Sequence, residues 1–210
     1  MAYCRVDDAG DGPLLTMLLA AAREVVELYT GRALISQGFL LVMPNWEAGY
    51  AENYPREFQN NYFNQAPAVG LYSMFPNARR DTLNAIFLDR SPLITVDAVK
   101  YYDPAETLQT LAAGNYYALT NQNPGAFALK TTQSWPDIFD RPDAVQVSFT
   151  AGHGTTAASI PAPLRLAVMI LAKHYFDAGR DMVDVKQAVS EIPLGVRHIM
   201  ESWRVEGFTA

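Results

Sequence analysis

The chain has 210 residues, half of them hydrophobic, enough for a real core, and this excludes a disordered chain. Charged residues are only 18% against the roughly 25% of an average domain, aromatics reach 11%, and a coat so thin in charge predicts surface held in interfaces. Sixteen basic against 22 acidic side chains give a net charge of −6, and no Lys/Arg run forms a footprint for nucleic acid or an anionic membrane.

One cysteine, Cys4, excludes an internal disulfide framework and fits a reducing compartment. No segment has the length of a transmembrane helix, and Asp7, Asp8 and Asp11 stand where a signal peptide needs positive charge. The expectation is a soluble, unexported chain with no membrane partner.

In chain order, the first element is a helix over residues 13–30. Leu14, Leu15, Leu18, Leu19, Ala22, Val25, Val26 and Tyr29 recur at helical spacing and are read as one stripe. Pro13 suits the first turn, Asp11 or Gly12 the cap, and Gly31 the left-handed stop. A β-rich middle follows, with strands expected over residues 33–43, 85–88, 96–102, 116–119, 127–129 and 145–150. In the last, Val145, Val147 and Phe149 alternate with Gln146, Ser148 and Thr150, as in a half-buried antiparallel strand. Turns are expected at Asp103-Pro104, Asn123-Pro124-Gly125 and Gly152-His153-Gly154. Helix returns after Pro161 and Pro163, where Leu164, Ala167, Val168, Leu171, Ala172 and Tyr175 share a face up to Gly179. A short last helix carries Leu194, Val196, Ile199, Met200 and Trp203, before a tail over residues 205–210. The fold class read from this order is α+β, a small helical bundle from the N- and C-terminal helices with an inserted antiparallel β region. The expected boundaries are 1–32 and 159–210 for the helical core and 33–158 for the β-rich insert.

Residues 44–80 form an unusual stretch, read as a partly extended aromatic arm because Pro55 interrupts any helix through it. Its aromatics, Trp46, Tyr50, Tyr54, Phe58, Tyr62 and Phe63, are candidate interface anchors, together with Trp203 and Phe208. Aromatic faces also stack on sugars or bases, so a carbohydrate- or receptor-binding β module is the alternative.

Chemistry leaves little trace. His153, His174 and His198 have no metal-ligand spacing, and ordinary polar histidines explain them. Asp137, Asp140 and Asp143, like Asp177, Asp181 and Asp184, match no calcium loop and suit turns. No nucleophile elbow, phosphate loop or dinucleotide fingerprint is present, and Gly152-His153-Gly154 lacks a third glycine. The expectation is a chain without catalytic residues, metal or cofactor; a hydrolase using His153 with nearby carboxylates is the remaining enzymatic reading.

A succession of short motifs resembles one family. It runs through Ala21-Ala22, Val26 to Ile35 with Thr30-Gly31-Arg32 at its centre, Ser91-Pro92-Leu93 and Tyr101-Tyr102-Asp103. It continues with Ser134-Trp135-Pro136, Val145 to Gly154, Ile160 to Arg165 and Leu194-Gly195-Val196. In this order the chain is similar to the head-tail connector (adaptor) proteins of long-tailed bacteriophages and gene transfer agents, with the segment 44–80 longer than in many relatives. The resemblance implies a ring, usually of twelve copies, seated beneath the portal protein in the virion neck and continuing the DNA channel toward neck, stopper or tail proteins. It implies assembly in the host cytoplasm, passage of DNA without specific binding, and no catalytic residues.

Overall fold

The computed structural model describes residues 12–46, 85–180 and 192–205, with side chains to Asp177 in the second of these segments. The chain divides into two compact units. One contains the described residues up to Ile35 and those from His153 to Arg204; the other takes in Ser36 to Gly152 and Val205. The α+β class read from the sequence is the class observed, helices at both ends and antiparallel sheets between.

In the helical unit α1 (Gly12–Thr30), α2 (Ala162–Arg180) and α3 (Leu194–Ser202) pack pairwise on one another. Their core is Ala22 and Val26 of α1, Leu164, Ala167, Leu171 and Ala172 of α2, and Val196 and Met200 of α3. Leu34 and Ile160 close it. α1 ends as its sequence requires: Gly31 adopts φ 68°, and its N–H reaches the Glu27 carbonyl at 3.0 Å, a left-handed stop that a Cβ would disfavour. The eight apolar residues read as one stripe share one face of α1, an arc of about 140° at 100° per residue, but the core covers its middle and leaves its two edges open. Leu15, Ala22 and Val26 turn inward, whereas Leu14 and Leu19 are exposed.

The expected strand from Ala33 starts only at Gln37. Leu34 belongs to the helical core, its N–H bonding the Glu27 carboxylate at 2.7 Å and its carbonyl accepting from the His153 N–H at 3.3 Å, so this stretch satisfies its backbone outside any ladder.

Among the described residues the β unit holds two antiparallel sheets. One has the order β1 (Gln37–Met43), β7 (Val145–Ala151), β3 (Leu93–Tyr102), β4 (Leu108–Leu111). The other orders β2 (Ala85–Phe87), β6 (Ala126–Leu129), β5 (Tyr116–Leu119). β7 is flanked on both sides, and its alternation is as read: Val145, Val147 and Phe149 are buried, with Phe149 opposite Phe39 and their rings stacked at 5.5 Å. β4 was not anticipated, since Leu108-Gln-Thr-Leu111 is too short to show a period. It forms because the turn before it is built. Asp103 accepts the N–H groups of Ala105 and Thr107 at 3.0 and 2.9 Å, Glu106 takes φ 59°, and Tyr102 then faces Leu108. These hydrogen bonds and the Gln109 amide hold the Asp103 carboxyl below the ordinary carboxylate value.

Candidate interaction surface

Of the eight candidate anchors, Tyr50, Tyr54, Phe58, Tyr62, Phe63 and Phe208 lie outside the described residues. The two that are described behave differently from one another.

Trp46, directly after β1, is buried to 6% exposure. Its ring stacks on Trp135 at 4.5 Å, tilts against Tyr101 at 5.9 Å, and donates from Nε1 to the Pro136 carbonyl at 2.9 Å. Trp135 in turn meets Phe127 edge-on at 6.0 Å, and Phe127 meets Tyr116 at 5.7 Å. An unbroken aromatic chain thus joins the two sheets of the β unit through its core. The expectation of Trp46 as a free anchor is therefore corrected: adjacent rings within this unit take up the surface it would have offered. Buried and stacked on the half-buried Trp135, the Trp46 indole leaves no free face for a sugar.

Trp203, half-buried, caps the helical core. The Arg32 guanidinium lies over its ring at 5.6 Å and donates from Nε to its backbone carbonyl at 2.6 Å, placing a cation on the C-terminal end of α3. Beside it, Tyr29 donates to Glu201 at 3.2 Å and Arg197 pairs with the same carboxylate at 3.0 Å. Tyr29, then Glu201, raise the Arg197 guanidinium above its ordinary value. This polar clasp ties the end of α1 to α3.

No three His, Cys, Asp or Glu side chains cluster as metal ligands among the described residues, and no described helix is long and apolar enough to cross a membrane. Asp143 is held bidentately by Arg141 at 2.6 and 3.0 Å, and Asp177 by Lys173 at 2.7 Å, so these carboxylates make ion pairs. Burial, then the charge of Arg32, hold the His153 imidazole below its ordinary value.

Sequence reasoning overlooked the exposed aliphatic surface. On α1, Leu14 is 43%, Met17 61% and Leu28 56% exposed. On α2 the corresponding values are 40% for Leu166 and 39% for Met169. Leu40 and Val42 are exposed on β1, an edge strand of the described sheet that carries no charged residue. The available signal was the surplus of apolar residues in α1, more than one buried face can hold.

No family model matches the chain, and no curated protein matches it. Solved structures do. A chain in the virion of a native gene transfer agent (GTA) particle is similar over 97% of this chain and 85% of its own length, with a TM-score of 0.66 and 22% identity. A chain in the neck of an empty GTA particle, computed with C6 symmetry, is similar over 97% and 86%, at a TM-score of 0.64 and 23% identity. Another, in the neck of a native GTA particle computed with C12 symmetry, is similar over 91% and 82%, at 0.61 and 23%. The class defined by these likenesses is one of fold, shared along nearly the whole chain.

Proposed function

We propose that the chain is a structural protein of the neck of a phage-like particle, an adaptor that forms a ring between portal protein and tail and continues the DNA channel. The observation that carries the reading is the shared fold over 91–97% of this chain with virion and neck chains of GTA particles, two of them in necks computed with rotational symmetry. The motif succession ending in the Gly-x-Gly turn and the proline-led helix supports the same reading. So does the exposed aliphatic surface, which suits contact with protein.

The chain acts through these surfaces and carries out no chemical step. Its partners are further copies of itself, twelve in the ring, the portal on one side and stopper or tail proteins on the other. Genomic DNA passes through without specific binding, because a chain of net charge −6 repels phosphate.

Images of particles that carry the chain test the reading. A rotationally symmetric ring at the head-tail junction is expected, and particles lacking rotational symmetry at that layer overturn it. A mobility-shift titration tests the channel: negligible affinity for duplex DNA is expected near physiological salt, and sub-micromolar binding with a steep salt slope refutes passive passage.

A further inference from the structure

The core of the helical unit uses only one side of α1. Opposite it, Leu14, Met17, Ala21, Glu24 and Leu28 follow one another at alternating spacings of three and four residues and form a continuous exposed stripe. The spacing is that of a helix seam, and the stripe is apolar except for one carboxylate. α2 has a counterpart on the side away from its own buried face, where Ala162, Leu166 and Met169 precede Lys173. The charges on the two outer faces are opposite. α1 presents Glu24 alone, whereas α2 presents Arg165 and Lys173 against Asp177, a net charge of +1.

We propose that the outer stripe of α1 docks on the outer face of α2 in a second copy of the chain, and that this heterologous contact closes the ring. The inference rests on the ring reading above and names its contact. Two different, complementary faces on one unit are what a head-to-tail ring requires, since each copy offers one face to the neighbour on either side. A self-complementary contact would need only one of them. Helices packed in this way lie about 8–10 Å apart, a distance at which Leu and Met side chains interdigitate and Glu24 comes within reach of the basic α2 face.

Cysteine cross-linking tests the contact. With Cys4→Ser removing the native thiol, Ala21→Cys and Met169→Cys place one thiol at the middle of each stripe, where they meet whether the helices run parallel or antiparallel. A short bismaleimide applied to the concentrated chain should give a ladder of dimer, trimer and higher species, and each single-cysteine variant should give none. A product that stops at dimer, also formed by Ala21→Cys alone, overturns the proposal in favour of a self-complementary contact. Slow labelling of Ala21→Cys in the dilute monomer overturns it too, because another part of the same chain then covers the stripe. Met17→Glu should abolish assembly without lowering the melting temperature, the side chain being 61% exposed. A symmetric ring in particle images together with no ladder overturns the contact and leaves the ring reading standing; particles without symmetry at that layer overturn the ring reading itself.

Discussion

Truncating Trp46 to alanine separates a core role from a docking role. The side chain is 6% exposed, stacked on Trp135 at 4.5 Å, and bonded through Nε1 to Pro136 at 2.9 Å. Removing a large aromatic from a core costs about 3–5 kcal/mol, through lost transfer free energy and the cavity left behind. The value should fall toward the lower end, since the hydrogen bond contributes only about 1 kcal/mol and the freed Pro136 carbonyl is part-buried and can turn to water. A loss of about 3 kcal/mol is a large fraction of the 5–15 kcal/mol that stabilises an ordinary domain. Urea unfolding followed by tryptophan fluorescence and circular dichroism reads the effect: with a slope near 2 kcal/mol/M, the midpoint should move down by about 1.5 M. Trp46→Phe, which keeps a stacked ring and loses the N–H donor, should cost about 1 kcal/mol. If Trp46→Ala left the midpoint within about 0.3 M of the parent while assembly failed, the indole would be a docking group and the packing argument would be refuted.

Further predictions concern backbone and charge. Gly125→Ala should destabilise the β unit by about 1–3 kcal/mol, because the added Cβ would overlap the buried Leu93 side chain; an unchanged urea midpoint would show that Leu93 yields freely. Glu106→Gly should stabilise by about 0.5–1 kcal/mol, since relief of the left-handed φ of 59° outweighs the loss of an ion pair with Arg141 at 3.7 Å whose carboxylate is well exposed. A fall in melting temperature on that change would contradict the argument. Below about pH 6.5 the unfolded chain takes up a proton that the half-buried His153 resists, so stability should fall as pH drops through this range and stay level above it. The melting temperature between about pH 7.5 and 5 checks this, and His153→Gln should flatten the slope.

Periodic patterns were legible where one element buries one face. Val145, Val147 and Phe149 alternate because β7 lies within a sheet with one face inward, and Pro161 and Pro163 introduce a helix whose buried residues recur at helical spacing. Gly31 was readable as a stop, since only a residue without Cβ adopts its φ at no cost. β4 was not readable: four residues carry no period, and the strand depends on the Asp103 turn and on β3 as its neighbour. The candidate interaction surface was the least legible part. Trp46 looked like an anchor because aromatic residues favour interfaces and cores alike, and only the positions of Trp135 and Tyr101 assign it to a core. Leu14 and Leu15 differ by 100° around one helix, and composition treats them alike. Folding buries the second and leaves the first exposed, so the sequence determined that α1 is amphipathic and the tertiary structure decided which of its apolar residues are surplus to the core.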